Sequence, residues 1–577
     1  MDFSATLRSP ISTPLSRALF FGLIVGLCGV LIGFSPLMLD MEDNFGLDLL
    51  FWLRGSRRPP GEVVVVAIDK KSCFKLKMPD NPDQWPRSMH ARLVDNLKNM
   101  GARVIAFDFH FLQAGPEGND LLFANALENA HNVVLCDFVK SSGVELITDR
   151  EEVPDDLGHQ LVIVEKPFDI LTKKAAATAP FLLPGTSYKV RYVPLFIDIA
   201  GGIPTLPLVA FQLYSLPDKR DFFRLVRAMT FEHSSRKAQL KTPAFPAGDS
   251  LERTMADLHE LMHKSKGLQH PNTGSIFHRP TYPGQRNILK SLCKIYRSPR
   301  NERFINFYGP PGSISTIPYC KLVLPPDPNK NDKPPDLRGK AVFVGASKML
   351  AAERRDTFHT AFSAADTTDT SGVEVAATIF ANLLEDSSLI PIPNQALLLF
   401  LFGWGWVLGT TTRLYSLRLG GAIMLQASIS YLIFSFYLFQ KYNLWLPLFT
   451  PAVALPLMAL LGTAVLNHLH LFRQSRAMSS LQRDLSHARS LQQGMLPVVC
   501  PPIPGLQIAA HCLPSGVVGG DFFDFHEVEP GKLGICIGDV TGKNLSGALV
   551  VSATQSVLKM LCEQGNGPAE TLNRANN

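Results

Sequence analysis

Four long apolar runs stand out along the chain, at 18–39, 389–412, 419–439 and 444–466. Each is long enough to cross a bilayer as a helix. Between the first and second runs the pattern changes to short β-branched blocks: EVVVVAID at 62–69, RVIAFDF at 103–109 and NVVLCDFV at 132–139. Continuous apolar blocks of that length predict strands buried on both faces. SMHARLVDNLKNM (88–100) predicts a helix capped by Ser88, with Ala91, Val94, Leu97 and Met100 as its apolar stripe and Gly101 as its stop. A second helix is expected over 119–130. Strand and helix in alternation predict right-handed crossovers and a parallel sheet. KAVFVGAS (340–347) and the helical SGVEVAATIFANLL (371–384) continue the pattern. The expected fold class is therefore α/β, a parallel-sheet domain over 40–388. The more polar stretch 218–300 reads as an insertion within it.

Charge orients the spans. Arg8 and Arg17 precede the first run, while Asp40, Glu42 and Asp43 follow it. Residues 1–17 are then cytoplasmic and 40–388 lie outside. Arg413 and Arg418, between the second and third runs, and Arg473 and Arg476, after the fourth, fall on the same inner side. A cleaved signal peptide is disfavoured, because the run is long and Pro36 spoils the small-residue cleavage site. The composition, 46% hydrophobic and 18% charged in 577 residues, excludes fibrous and wholly disordered chains. A net charge of +6 is too balanced to point to a nucleic-acid partner. Nine cysteines without a CxxC pair make neither a disulfide scaffold nor a zinc site. Whether Cys73, Cys136, Cys293 and Cys320 pair outside the membrane stays open.

Asp69 and Asp108 each sit near the carboxyl end of a predicted strand, where open α/β sheets bind ligands; the favoured reading of either one alone is a cap on the next loop. GPPGS (309–313) lacks the GK[ST] ending of a phosphate loop and is rejected. Residues 471–495 carry a heptad, with Leu471, Met478, Leu485 and Gln492 on one position and Gln474, Leu481, Ala488 and Met495 on the other. That spacing fits a dimeric coiled coil acting as a signalling helix, or an amphipathic helix packed on the next domain.

The remaining residues, 496–577, carry the chemistry. GGDFFDF (519–525) sets two glycines before Asp521, with Asp524 three residues on. KLGICIGDVTGK (532–543) reads as a strand ending in Gly538, Asp539 and Val540, followed by Gly542. Two carboxylates at neighbouring strand ends, with glycines permitting close backbone approach, suit hard divalent cations such as Mg²⁺ or Mn²⁺. A pair of such ions can activate water against phosphorus.

The order VVVVAID, WPRSMHARLVDNL, GARVIAFDFHF, followed by FINFYGPPGSISTIPYCKLV, LRGKAVFVGAS and SGVEVAATIFANLL, resembles the type-two CHASE extracellular sensor domain. That family has one span before the sensor and three after it, and its ligands are generally unknown. ARSLQQGMLP, GGDFFDF and GDVTGK resemble the SpoIIE/RsbU-like branch of the metal-dependent PPM serine/threonine phosphatases. The second resemblance implies that Asp521 and Asp539 are catalytic metal-site residues and that the Val540 carbonyl is a further ligand. Gly520, Asp524, Gly538 and Gly542 would be supporting residues. It implies two Mn²⁺ or Mg²⁺ ions in the complete domain and hydrolysis of phosphoserine or phosphothreonine on anti-sigma-factor antagonist proteins. Asn544 stands where the family often has glycine, and the family's later Asp-Gly segment and final metal-binding Asp do not occur before residue 577. The expectation is a bacterial inner-membrane receptor, a homodimer with an unknown external ligand. Its phosphatase portion is expected to be truncated, with little activity in this chain. The rival expectation is a non-catalytic receptor remnant that signals by protein binding. A kinase output is disfavoured, since no ATP-binding asparagine or glycine boxes follow residue 470.

Overall fold

The computed structural model describes residues 13–577, apart from 116–117, 143–160, 184–188, 217–249, 265–287, six positions between 289 and 300, 326–334, 347–356, 364–368, 514–516 and 542–544. It divides into two units, Met1–Ala459 and Leu460–Asn577. The principal helices of the first unit are α1 (Pro14–Gly33), α2 (Arg87–Asn99), α3 (Asn119–Ala130), α4 (Leu206–Ser215), α5 (Leu251–Lys264), α6 (Gly372–Glu385), α7 (Asn394–Leu414) and α8 (Leu417–Tyr442). Its main sheet contains β1 (Val63–Ile68), β2 (Val104–His110), β3 (Val133–Ser142), β4 (Leu161–Glu165), β5 (Ala177–Pro180), β6 (Ser315–Pro318) and β7 (Ala341–Ala346).

The strand order is β6–β1–β7–β2–β3, with β5 parallel and β4 antiparallel against β3. The late strand β7 lies between the first two, pairing Ala341 with both Val63 and Val104. Alternation assigns each face of the sheet its cover. Val63, Val65 and Ala67 join a core with residues of α4, α5 and α6. Val64, Val66 and Ile68 join a second core with residues of α2 and α3. Covering both faces is what a parallel sheet of continuous apolar strands requires. The described parts of 218–300 belong to this packing: Leu251, Met255, Leu292 and Tyr296 lie in the first core.

Helix α2 begins one residue before the expected start. Pro86, not Ser88, occupies the cap position and no side chain caps the end; Pro86 fixes the entry, and Arg87 behind it pairs with the buried Asp120. The stripe residues Ala91, Val94 and Leu97 are buried as expected, and Gly101 takes a φ of +81° at the turn. His90, on the same helix, is enclosed by Phe107, Phe109, Phe111, Phe123 and Tyr319. Burial pulls its imidazole down to about 3, so it is a neutral core residue.

Among the described residues four helices are long and apolar enough to cross a membrane: Pro14–Gly33, Asn394–Leu414, Leu417–Tyr442 and Thr450–Met495. The first is shorter than the apolar run 18–39, because Ser35 caps a new short helix with Pro36 in its first turn. The fourth starts later than 444, because Leu444–Trp445 pair in parallel with Ile390–Pro391. Helices α1 and α7 meet backbone to backbone. A Cβ on Gly26 would stand 2.6 Å from the Phe402 carbonyl, and one on Gly405 would stand 2.9 Å from the Gly26 Cα. Without a hydrophobic driving force in lipid, such small-residue contacts hold spans together.

Two polar clusters tie the sheet domain to its spans. The buried Glu42 carboxylate accepts from the Leu448 and Thr450 amides at 2.6 and 3.0 Å, satisfying donors where the fourth span begins. Asn306, wholly buried, accepts from Arg54 at 2.6 Å and donates to the Ser387 carbonyl at 2.7 Å and to Asn443 at 2.9 Å. Its own backbone exchanges hydrogen bonds with the Asn382 side chain at 2.7 and 3.0 Å. Arg54 also lies over the rings of Phe51 and Phe439, at 4.8 and 5.1 Å.

Candidate metal site

The second unit holds the 460–495 part of helix α9 (Leu455–Met495), strands β8 (Asp521–Glu529) and β9 (Lys532–Asp539), and helix α10 (Leu545–Glu563). Strands β8 and β9 form an antiparallel hairpin closed at Gly531, whose φ is +83°. Its register sets Asp521 directly opposite Asp539 at the open end. The ladder runs one step further, since the Val540 amide donates to the Gly520 carbonyl at 3.0 Å. Directly opposed carboxylates repel unless a cation lies between them.

Gly520 is required by packing rather than by its φ. A Cβ there would stand 2.3 Å from the Val540 carbonyl oxygen and 3.2 Å from Asp539 Oδ1. The same observation shows that the Val540 carbonyl and one Asp539 oxygen converge on one small volume beside Gly520. Both aspartates are exposed. Two carboxylates and a main-chain carbonyl are hard oxygen donors, the chemistry of Mg²⁺ and Mn²⁺ rather than of zinc. Among the described residues no group of three or more His, Cys, Asp or Glu forms a metal cluster. The donor set therefore fits part of a shell.

Gly538 leaves room for the Phe522 ring, which would come within 2.4 Å of a Cβ. Asp524, three residues from Asp521, lies on the other face of its strand. One of its oxygens accepts from the Phe525 amide at 2.8 Å, and the other accepts from Gln555 of α10 at 3.2 Å. Buried His526 lies 3.5 Å from that second oxygen. Asp524 thus docks α10 on the hairpin, away from the Asp521–Asp539 end. Gly542 and Asn544 lie outside the described residues.

The contact that the sequence did not reveal is that of Gln492. Of the two readings of the heptad, this residue follows the helix packed on the next domain, since it is buried beside the GGD loop. Its Nε2 donates to the Gly519 carbonyl at 2.6 Å, and its Oε1 accepts from the Gly519 amide at 2.9 Å. Further up the helix, Leu471, Met478 and Leu481 are exposed. In the sheet domain Asp69 accepts from the Ser72 amide at 2.8 Å and so caps the short helix that follows it. Asp108 is half-buried in the irregular stretch where β2 pairs with β3. Cys73 and Cys320 are free, buried thiols, and Cys136 is buried; Cys293 lies outside the described residues.

Comparison with known proteins bears on both units. No curated protein and no solved structure matches the chain. The family model described as Stage II sporulation protein E (SpoIIE) matches residues 529–577. That partial match takes in Asp539, Val540 and α10, and begins after Asp521. The CHASE2 domain model matches residues 23–411. This range, roughly two thirds of the chain, includes all seven strands of the main sheet and the helices covering both its faces, and the chain belongs to the CHASE2 domain family.

Proposed function

We propose that this membrane protein is a signal receptor in which an extracytoplasmic CHASE2 domain governs a metal-dependent protein serine/threonine phosphatase output. The spans fit a bacterial inner membrane, with the hairpin domain in the cytoplasm. The substrates this reading favours are phosphoproteins of the anti-sigma-factor antagonist type. The carrying observation is the Asp521–Asp539 pair, set opposite each other with the Val540 carbonyl at the open end of the hairpin. When bound, Mn²⁺ or Mg²⁺ supplies an activated water and neutralises phosphoryl charge. Asp521 and Asp539 supply the negative charge that holds the cation, and Gly520 leaves space beside the Val540 carbonyl. The exposed stripe Leu471, Met478 and Leu481 supports a homodimer through α9.

The test is Mn²⁺ binding, followed by paramagnetic resonance, to the full chain in lipid nanodiscs. Phosphate release from a phosphoserine protein is measured in parallel. Asp521→Asn and Asp539→Asn should each weaken Mn²⁺ binding by at least about tenfold, the loss expected when a hard cation gives up one charged ligand. Phosphate release should be slight, because three protein ligand groups cannot fix two six-coordinate ions. Unchanged Mn²⁺ affinity in both variants would sink the metal site. Absence of any Mn²⁺ binding in the parent chain would leave the receptor that signals by protein binding alone.

A further inference from the structure

The sheet domain contains a second pair of carboxylates, buried rather than exposed. Asp137 lies on β3 and is 2% exposed; Glu252 lies on α5 and is 8% exposed. Thr178 of β5 joins them. Its hydroxyl is 3.3 Å from Asp137 Oδ2 and 3.3 Å from Glu252 Oε1, and its amide donates to the same Glu252 oxygen at 2.8 Å. The other oxygen of each acid, Asp137 Oδ1 and Glu252 Oε2, is buried and has no hydrogen-bond partner among the described residues. The two oxygens of a carboxylate share one carbon, so each orphaned atom lies within one carboxylate's width of an oxygen that is itself 3.3 Å from the Thr178 hydroxyl. Strand β5 pairs in parallel with β3 here, Leu135 against Thr178 and Asp137 against Pro180. Asp137 is the last residue of β3 paired in parallel, since Phe138 begins the antiparallel pairing with β4, so the cluster lies where the parallel part of β3 ends.

Burying one unpaired carboxylate is costly, and burying two that face the same hydroxyl compounds the cost by repulsion. The charged groups acting on Asp137 are Lys166, exposed after β4, and Glu252 itself. A proton or an ammonium group neutralises one of the two acids and leaves the other. A divalent cation neutralises both and gives each orphaned oxygen a ligand bond, with the Thr178 hydroxyl as a neutral donor.

We propose that Asp137, Thr178 and Glu252 form an extracytoplasmic site for a hard divalent cation in the CHASE2 domain, closed by helix α5. Protons compete for it, because a carboxylate must be ionised to hold a metal ion. Ca²⁺ suits so irregular an oxygen set better than Mg²⁺, which demands octahedral geometry and holds its water. With two charged ligands the affinity should fall near that of extracellular calcium modules, a Kd of about 10⁻⁴–10⁻³ M.

The experiment uses the full chain in nanodiscs, carrying Asp521→Asn and Asp539→Asn so that the other acidic pair is silent. Ca²⁺, Mg²⁺ and Mn²⁺ are titrated at pH 7.5 and 5.5, with thermal unfolding and proton release as readouts. Ca²⁺ should raise the melting temperature at pH 7.5 with release of protons, and the apparent affinity should fall at pH 5.5. Glu252→Gln and Asp137→Asn should each weaken the effect at least about tenfold, whereas Asp257→Asn, exposed on the same helix, should preserve it. In chelator both site variants should melt no lower than the parent, since each removes an uncompensated buried charge. That readout separates a lost ligand from a lost fold. The proposal is overturned if Ca²⁺ shifts parent and Glu252→Gln alike. It is equally overturned if melting follows pH near 6 while none of the three cations has any effect.

Discussion

Gln492→Ala is the substitution that most directly tests whether the end of α9 controls the GGD loop. In the parent chain the Gln492 amide makes two hydrogen bonds to Gly519, at 2.6 and 2.9 Å, two residues before Asp521. Each such bond contributes a net stability of about 1 kcal/mol, so truncation should cost the loop about 2 kcal/mol of local stability. At 1.4 kcal/mol per factor of ten, local opening becomes about 30-fold more frequent. Hydrogen exchange of the 517–522 peptide, followed by mass spectrometry on the full chain in nanodiscs, reads that opening. Gln492→Glu keeps the length of the side chain but replaces the donor with an oxygen facing the Gly519 carbonyl. It should therefore loosen the loop at least as much as alanine. Gln493→Ala, exposed on the neighbouring position, is the control and should leave exchange unchanged. Equal exchange in the Gln492→Ala and Gln493→Ala chains would refute the reasoning.

Gly520→Ala should shift the Val540 carbonyl, since an added Cβ at 2.3 Å has no room; Mn²⁺ binding should weaken at least as much as in Asp539→Asn, by about tenfold or more. Without divalent cations, the stability of the sheet domain should fall as pH rises through about 6. Asp137 is held above its ordinary carboxyl value of 3.8, so its contribution is fully present below 3.8 and lost as pH passes the folded value. The drop amounts to about 3 kcal/mol from a shift of roughly two units, and Asp137→Asn should flatten it in unfolding measured across pH 4–8. Cys73 should resist impermeant maleimides on the outer face until the domain is unfolded, because its thiol is buried and pushed up to about 11; rapid labelling of the folded protein would contradict the packing. Gly26→Leu should separate α1 from α7 and lower the melting temperature of the detergent-solubilised chain, by an overpacking cost of about 1–3 kcal/mol.

Much of the fold is legible because the chain obeys simple periodicities. EVVVVAID can only be satisfied between two apolar layers, and the structure supplies one on each face. The order of the strands is not legible in the same way. Nothing local to KAVFVGAS says that it separates β1 from β2, since that pairing joins residues more than two hundred positions apart. Ser88 reads as a cap from residue type alone, whereas the entry to α2 is fixed by Pro86 and by the Arg87–Asp120 pair across the domain. At the candidate metal site, glycine and aspartate spacing is enough to bring Asp521 and Asp539 to one end of a hairpin. Gln492 escapes such reading because a heptad counts positions along one helix, while its partner is a backbone group 27 residues away. Asp137 and Glu252 escape it for a related reason. Their meeting depends on a helix drawn from a polar stretch that carries no strand or ligand motif of its own.

The Asn306 cluster bears on how this receptor could be cut and rejoined. The CHASE2 match ends at 411, which suggests a cassette boundary inside the second span. Yet Asn306 is hydrogen-bonded to Asn443, and Glu42 holds the amides of Leu448 and Thr450. A chimera joined at 411 would take the sensor away from its partners on the third and fourth spans, leaving buried amides and a buried carboxylate without mates. A junction placed beyond the fourth apolar run, after Leu466, keeps both clusters and all four spans whole. The transplantable part of this protein is the sensor together with all four of its membrane helices.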